Sequence, residues 1–467
     1  GMLFGAIPGV SMLTLAAILL PFTANLEPAQ GVMLFAVIYC TGTYGGAITA
    51  ILFNIPGAPE NAPTAFDGYP MTRKGQSGKA VGAAVLCSAI GGVTSAIVMM
   101  AATEPLANWA ISNIGPPEIF ALVFFGLAVA SSVGGRTLWK GWMSVLLGLL
   151  IATIGQDPVG GINRYNFGFS DLAAGIAFVP AILGFFAVSE IFVQAEKKAI
   201  GMYEAPKLSL DFPTILELWT HKIAVVRSIL VGFFCGILPG IGATLAAFMG
   251  YGEAVRWSKN KESFGKGNLE GVISSETANN AATGAAMIPL LALGLPGGAL
   301  TAMMVAVFQM HDLEPGPLVF YNSPDLIWIV FAAMFYANVS ILFIGLLETK
   351  TILYLLKIPF QFLAPMILLL ASIGSYIGRG LVLDVMVMFI SGIMGFLLRR
   401  SGYSIPGIVL GIILGKIGEQ NFAQGMQMVH YDLLEYLSRP ICLLLIVAGS
   451  LTLLAGIYKA LSFSFKS

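Results

Sequence analysis

The sequence is poor in charged side chains, and this shortage decides its class. Only 10% of its 467 residues are Asp, Glu, Lys or Arg, whereas a soluble globular chain carries about 25%. The 24 basic and 24 acidic residues cancel, so no basic face is available for nucleic acid. With 57% hydrophobic residues and a mean hydropathy of +0.86, the chain is predicted to be an integral membrane protein that lies in a lipid bilayer.

Residues that bind metals or carry out redox chemistry are also scarce. There are three His and no HExxH motif, which argues against a metalloprotease. The cysteines lie inside apolar stretches without metal-ligand spacing, and we interpret them as small core residues; they are Cys40, Cys87, Cys235 and Cys442. No Ser-His or paired-Asp protease signature is present. We predict that the protein is not an enzyme and has no metal centre and no organic cofactor.

The apolar residues form long runs, not the alternating ten-residue segments of an outer-membrane barrel. Ile119–Val133, Leu326–Leu347 and Ile441–Ile457 have the length of membrane helices. The sequence therefore predicts an all-α polytopic membrane protein with about 10 to 12 membrane segments. The chain starts at Gly1 without a charged n-region, so no signal peptide is predicted, and an N-terminal helix is expected to be missing.

Three short patterns occur twice, in the same order. The three pairs are Gly5–Val10 with Gly236–Ile241, Asn54–Gly57 with Gly294–Gly297, and Leu127–Arg136 with Leu370–Arg379. Their offsets of 231, 240 and 243 residues drift slowly, which predicts two repeats. The first covers residues 1–222, and the second covers 223–467 and includes a C-terminal helix.

Loop charges predict how the two repeats are oriented, because cytoplasmic loops collect Lys and Arg. The loop near Arg73 and Lys74 is basic, but its counterpart 311–325 has no Lys or Arg. Loop 23–31 has none, but its counterpart 256–266 has four. Corresponding loops thus lie on opposite sides, which indicates inverted repeats, a plan typical of secondary transporters. This topology leaves four cations on the outside, Arg164, Arg379, Lys416 and Arg439.

Each repeat is predicted to contain a re-entrant hairpin. Lys222 and Arg256 are both assigned to the cytoplasm, yet the segment between them is apolar and has Pro239-Gly240 at its middle. About eleven helical residues on each arm reach only half-way across a bilayer of about 30 Å. The mate of this hairpin has its tip at Pro8-Gly9. Two ordinary helices kinked by proline are the alternative.

Pro-Gly pairs can end helices inside the membrane, where such breaks persist only against protein or a water-filled cavity. The exposed N–H groups suit carboxylates, and the exposed C=O groups suit cations. We expect four breaks to meet near the midplane and form a site for an anion and a cation, although each alone could be a kink or a packing notch. The candidate substrate-binding residues are Pro8, Gly9, Tyr44, Gly45, Gly46, Asn54, Pro56, Gly57, Pro239, Gly240, Asn279, Asn280, Thr283, Pro296 and Gly297.

Polar side chains gather next to these breaks. They include Glu60, Asn61, Thr64 and Asp67 in the first half and Ser274–Thr283 in the second. An Asn pair in an apolar run is costly unless it finds partners, so Asn279 and Asn280 bind either the substrate or a neighbouring helix. The candidates for binding the coupling ion, Na⁺ or H⁺, are Asn54, Glu276 and Asn280, with Asp67 as a further acid that fits an interfacial position equally well.

These stretches resemble the large membrane subunit of the tripartite tricarboxylate transporter family. The resemblance covers nearly the whole chain. The residues that carry it are Gly5–Gly9, Ile18–Pro21, Tyr44–Gly46, Ile51–Gly57, Asp67–Met71, Lys74-Gly75, Gly155–Pro158 with Arg164, Gly236–Gly242, Gly271–Ala282, Ile288–Leu290, Leu295–Gly297 and Pro315–Pro317. The segment Ala58–Asn61 looks like a variable position, which leaves the particular carboxylate open.

The resemblance implies a subunit of a bacterial inner-membrane symporter. Such subunits work with a small membrane subunit and a periplasmic substrate-binding protein, and they import citrate or related carboxylates with an ion gradient. Together with the inverted repeats, this leads us to expect alternating access by an elevator-like movement, with a homodimer as one assembly. An organic-anion channel and a stand-alone carboxylate carrier are the alternatives.

Overall fold

The computed structural model describes residues 1–7, 11–133, 138–157, 160–196, 213, 215–238, 242–355 and 360–464. This part of the chain is almost entirely helical. Its sheet consists of two short antiparallel strands, β1 (Gly155–Gln156) and β2 (Asn163–Arg164). The predicted all-α class is confirmed, and the three apolar runs Ile119–Val133, Leu326–Leu347 and Ile441–Ile457 each lie inside a helix.

Ten helices precede residue 222 in the described part of the chain. In order they are α1 (Met2–Ala6), α2 (Met12–Leu19), α3 (Pro28–Phe53), α4 (Ala62–Arg73), α5 (Ser77–Asn113), α6 (Pro116–Val133), α7 (Leu138–Ala152), α8 (Phe178–Ile182), α9 (Ser189–Glu196) and α10 (Ile215–Thr220). A π-helical turn, Leu183–Val188, joins α8 to α9, and the 3₁₀ turns in this half are Leu20–Asn25, Pro59–Asn61 and Ser170–Leu172.

Eleven helices follow in the second half of the described chain. In order they are α11 (Lys222–Ile237), α12 (Gly242–Trp257), α13 (Leu269–Leu293), α14 (Ala299–Met310), α15 (Val319–Asn322), α16 (Pro324–Leu355), α17 (Phe360–Ile377), α18 (Val382–Arg400), α19 (Ile405–Met428), α20 (Leu433–Ser438) and α21 (Pro440–Ser464). A 3₁₀ turn, Lys261–Ser263, lies between α12 and α13.

Five helical segments of the described chain are long and apolar enough to cross a membrane. They are Pro28–Phe53, Ser77–Asn113, Phe178–Glu196, Pro324–Gly345 and Val382–Arg400. Shorter apolar helices accompany them, among them Leu138–Ala152 and Ala299–Met310. Length and composition thus agree with a multi-pass membrane protein.

Helices α3 and α13 form the centre of the molecule, and small residues let their neighbours approach closely. Helix α5 packs on α13 and α16 packs on α3, while α11 lies against α13 and α1 against α3. A Cβ on Gly5 would lie 2.4 Å from the Gly42 carbonyl oxygen, and one on Gly232 would lie 2.2 Å from that of Ala278. Neither contact leaves room for a side chain.

The outer helices pack across the two halves of the chain. Helix α7 lies on α19, and α18 lies on the π-helical turn and α9. Glycines again mark both contacts: a Cβ on Gly148 would lie 2.1 Å from the Ile408 oxygen, and one on Gly184 would lie 2.3 Å from the Met388 oxygen. The two halves thus contact each other through their outer helices, while the division into inverted repeats at residue 222 stays a prediction.

The arms of the second predicted hairpin are α11 and α12, which lie antiparallel. The Cys235 Sγ is 3.5 Å from the Met249 Sδ, and Arg227 donates to the Glu253 carbonyl oxygen over 3.4 Å. Each arm has 16 residues and is about 24 Å long. The tips at Pro8-Gly9 and Pro239-Gly240 lie outside the described residues, so re-entry stays a prediction.

Three of the four cations that the predicted topology leaves outside have acidic partners. Arg164 donates to Glu419 over 2.6 Å, and Arg379 and Arg439 pair with Asp384 and Glu118. The hydrogen bond that Arg164 donates to Glu419 raises the pKa of the Arg164 guanidinium above its ordinary value. The acidic partners offset the positive charges of these three arginines, which are the exceptions to the rule that Lys and Arg collect in cytoplasmic loops.

Candidate functional site

The middle of α13 is the most polar buried surface in the described chain. Every residue from Gly271 to Ala292 on this helix is buried. Its seven polar side chains between residues 274 and 283 are each 0% exposed; they are Ser274, Ser275, Glu276, Thr277, Asn279, Asn280 and Thr283. Buried polar groups cost free energy unless they are hydrogen-bonded, so the partners of this row define a candidate site.

Helices α3 and α13 end with the same backbone cap. Asn54 ends α3 with φ 58° and ψ 30°, and Gly294 ends α13 with φ 73° and ψ 13°. Behind each cap, the next N–H reaches back six residues, from Ile55 to the Thr49 oxygen and from Leu295 to the Pro289 oxygen. The capping residues themselves donate to the Ala50 and Leu290 oxygens, which is the αL capping motif, and it recurs 240 residues apart.

After each cap, the Pro-Gly segment folds back along the helix that it follows. Gly57 N–H donates to the Gly46 oxygen over 3.3 Å. A Cβ on Gly57 would lie 1.9 Å from the Gly5 oxygen, and one on Gly297 would lie 3.0 Å from the Gly236 oxygen. Gly57 is therefore required by the close approach of backbones, whereas the contact at Gly297 is less tight. Each fold-back starts the next helix beside the middle of α3 or α13.

The first turn of α4 meets the carboxylate of Glu276. Thr64 Oγ1 donates to Glu276 Oε1 over 2.5 Å, and Ser88 Oγ from α5 donates to Oε2 over 2.9 Å. Asn279 Nδ2 adds a contact of 3.4 Å to Oε1. Three donors thus hold this carboxylate at a helix N-terminus, where a negative charge is favoured.

A second buried carboxylate, Glu60, meets the first turn of α12. Glu60 is 4% exposed, and its Oε2 accepts from Thr244 Oγ1 over 3.4 Å. Its backbone oxygen accepts from Asn279 Nδ2 over 3.4 Å. The 3₁₀ turn that carries Glu60 thereby connects α12 to the polar row of α13.

Several oxygen atoms in this region have no donor among the described residues. Asn61 Nδ2 donates to the Thr43 oxygen over 2.8 Å, and Asn280 Nδ2 donates to Asn279 Oδ1 over 2.8 Å. The atoms left without a donor are Glu60 Oε1, Asn61 Oδ1, Asn280 Oδ1 and Ser274 Oγ. Oxygens of this kind suit a cation or a ligand donor better than an apolar neighbour.

The structure brings many of the predicted site residues together around α3 and α13. Gly46 packs on Asn61, and Thr283 Oγ1 lies 3.8 Å from Cys40 Sγ where α13 meets α3. Gly57, Gly297, Asn279, Asn280 and Glu276 belong to the contacts described above, and the buried Pro296 and half-buried Pro56 lie in the fold-backs.

Other predicted residues lie apart from the polar row. Tyr44 donates its hydroxyl to the Gly345 oxygen over 3.2 Å, and Gly45 packs on the Met2 backbone. Asn54 is exposed at the end of α3. Pro8, Gly9, Pro239 and Gly240 lie outside the described residues.

Asp67 lies at a different place from the other acids. Its Oδ1 accepts from the N–H groups of Gly267 and Asn268, each over 2.8 Å, and its Oδ2 accepts from Tyr251 over 2.9 Å. These contacts join α4 to α12 and to the loop before α13. Asp67 therefore stabilises the packing of these elements.

Two residues that contact the buried carboxylates, Ser88 and Thr244, are not among the site residues predicted from the sequence. Ser88 and Thr244 lie far along the chain from the carboxylates they contact, and both are ordinary residues of apolar helices. The match of Gly236–Ile241 with Gly5–Val10 pointed to the start of α12, but nothing in the sequence pointed to Ser88.

Helices that span a membrane and surround a buried polar centre beside two matching backbone breaks define a membrane transporter. The family model described as "Tripartite tricarboxylate transporter TctA family" matches residues 1–410. The chain belongs to this family.

Two proteins of Agrobacterium vitis are similar to the chain. The "Uncharacterized 52.8 kDa protein in TAR-I ttuC' 3'region" is 35% identical over 456 residues, which cover 96% of this chain and 89% of that relative. The "Uncharacterized protein in TAR-II ttuC' 3'region" is 35% identical over 218 residues, 47% of this chain and 90% of that relative. No solved structure matches the chain.

Proposed function

We propose that the protein is the large transmembrane subunit of a binding-protein-dependent symporter in a bacterial inner membrane. It imports a tricarboxylate or a related organic acid, together with Na⁺ or H⁺, alongside a small membrane subunit and a periplasmic binding protein. The observation that carries the proposal is the buried polar centre at the two fold-backs, which supplies helix N-termini for an anion and free oxygens for a cation.

The charges of this centre support coupled transport. Glu60 and Glu276 are buried, and neither has a Lys, Arg or His ion-pair partner among the described residues. A carboxylate that enters a membrane-buried acidic site without a compensating charge costs several kcal/mol. A cation that enters with the substrate removes this cost, so an ion gradient can drive uptake.

The movement that we propose is elevator-like, because the two hairpins are predicted to enter from opposite faces. The proposed moving part contains α3, α4, α13 and α14 with the two hairpins, and the outer helices α6, α7, α18 and α19 form the static part. A pair of cysteines at the exposed Glu262 and Glu314, introduced without the native cysteines, tests the topology. Labelling of the two from opposite sides is expected, and labelling from the same side contradicts the inverted repeats.

Uptake into proteoliposomes tests the function. The full chain is reconstituted with its small subunit, and citrate and succinate are supplied with the binding protein under separate Na⁺ and pH gradients. We expect saturable uptake that requires the binding protein and one of the gradients. Flux without the binding protein indicates a stand-alone carrier, and flux that does not saturate indicates a channel.

A further inference from the structure

The two buried carboxylates of the candidate site differ in how well they are satisfied. Glu276 accepts from Thr64, Ser88 and Asn279. Glu60 accepts only from Thr244, over 3.4 Å, and its Oε1 has no donor among the described residues. A charged carboxylate is stabilised by two or three donors and destabilised when it is buried without them. Glu276 is therefore the better satisfied of the two carboxylates, and Glu60 has room for a further partner at Oε1.

The surroundings of Glu60 contain no compensating cation in the described chain. Its 3₁₀ turn packs on α3, α4, α12 and α13. The titratable groups nearest to it are Tyr39 on α3 and Glu276 on α13. The first turns of α4 and α12 carry no titratable side chain, and Asp67 and Tyr251 bond to each other further along these helices. A carboxylate on Glu276 opposes a second negative charge on Glu60, and the neutral phenol of Tyr39 supplies no positive charge to compensate for it.

The place that Glu60 occupies is one where a substrate carboxylate is expected. Helix α12 has 16 residues, and its first turn presents backbone N–H groups and the Thr244 hydroxyl. This end of a helix favours an anion. While Glu60 is charged, its carboxylate competes with a second anion for that end and repels it.

We infer that Glu60 is the group that takes up the coupling cation, H⁺ or Na⁺, and that its neutralisation lets a substrate carboxylate approach α12. A proton binds at Oε1, or Na⁺ binds at Oε1 and the neighbouring free oxygens. Glu276 keeps its three donors and holds the first turn of α4. This inference rests on the proposed function, and it assigns cation dependence to a residue outside the coupling-ion candidates Asn54, Glu276 and Asn280.

Binding to the purified full chain in detergent tests the inference. The affinities of citrate, succinate and acetate are measured along a pH series in choline chloride and along a Na⁺ series at alkaline pH. Wild-type affinity is expected to rise with the cation in one series, which identifies the ion. In Glu60→Gln, the slope of log affinity against log cation activity in that series falls by about one, because one cation fewer is bound.

Two matched variants sharpen the result. Glu262→Gln, a charge removed from an exposed loop between α12 and α13, is expected to keep the wild-type slope. Thr244→Val removes the one donor to Glu60, so it is expected to shift the cation dependence towards lower cation activity. If Glu60→Gln does not fold, a Thr244→Val shift in the opposite direction, or no shift, overturns the inference.

The outcomes separate the inference from the proposed function. If wild type binds these acids but Glu60→Gln keeps its slope in both series, the inference is wrong and the function stands. If none of the three acids binds wild type, either alone or together with the small subunit and the binding protein, the proposed function fails. The melting temperature without ligand still tests Glu60, because Glu60→Gln is expected to melt higher than wild type at alkaline pH without Na⁺, and an equal or lower value contradicts the assignment.

Discussion

The break after α3 and the break after α13 have the same backbone but different chemistry. Both helices end in a left-handed cap with the same reach-back hydrogen bond, and both fold-backs rest a glycine on a backbone carbonyl. The first fold-back continues into Glu60 and Thr64, which contact the polar row of α13, and into Asn61, which donates to the Thr43 oxygen on α3. The second continues into Ala299 and Leu300, and its Thr301 hydroxyl bonds only to Gly298.

This difference shows that a repeated backbone need not carry a repeated site. The cap and the fold-back set where a helix begins, while the side chains decide what that helix N-terminus holds. The N-termini of α4 and α12 each face a carboxylate of the chain itself, and the N-terminus of α14 faces none among the described residues. The acids thus lie at the starts of α4 and α12 and not at the start of α14.

The largest effect is expected where the two fold-backs are tightest. A Cβ at Gly57 would lie 1.9 Å from the Gly5 oxygen and 2.7 Å from the Gly46 Cα, whereas a Cβ at Gly297 has its nearest contacts at 2.9 to 3.0 Å. Overpacking costs about 1–3 kcal/mol and occasionally more. Gly57→Ala should give little folded protein, seen as a weak or absent unfolding transition in a thermal melt. Gly297→Ala should still fold, with a melting temperature moderately below that of wild type. Equal effects would contradict the steric ranking.

A smaller effect is expected at the carboxylate that the first fold-back holds. Glu276→Gln places an amide where Thr64, Ser88 and Asn279 all donate, so at least one donor loses its acceptor. An unsatisfied buried donor costs about 1–3 kcal/mol. The melting temperature should fall, and Ser88→Ala in the same background should recover part of the loss. A variant as stable as wild type would mean that Glu276 is not fixed by these donors.

The sequence predicts the breaks well because local chemistry makes them. Pro56-Gly57 and Pro296-Gly297 cannot continue a helix in either half, and their matching order indicates the matching cap. Proline alone is a poorer guide, since α5 continues through Pro105 to Asn113. The rule fails there because neighbouring helices can satisfy the carbonyl that a single proline leaves free.

The contacts of the site are harder to predict because they join distant parts of the chain. Thr244 and Glu60 are 184 residues apart, and Ser88 and Glu276 are 188 apart. Apolar runs show which residues enter the membrane, but not how each helix is rotated about its axis. The same limit applies to Asn54. The Pro-Gly motif predicts that the helix ends near this residue, but the exposure of the Asn54 side chain depends on how α4 packs beside α3.

The smallest effect is expected at Asn54, the cap of α3, and it separates the contribution of the backbone from that of the side chain. Gly also adopts the left-handed conformation of Asn54. Asn54→Gly should therefore change the free energy of unfolding, measured through the shift in melting temperature, by less than about 0.5 kcal/mol. The Asn54 side chain is exposed and lies apart from the polar row. Uptake by Asn54→Gly should therefore stay within about twofold of wild-type uptake, a ratio that corresponds to about 0.4 kcal/mol. The matched change Gly294→Ala forces a Cβ to 2.5 Å from the Pro315 oxygen at φ 73° and should cost at least about 1–2 kcal/mol. If Asn54→Gly keeps its stability but loses uptake, the Asn54 side chain binds substrate or ion as the sequence predicts.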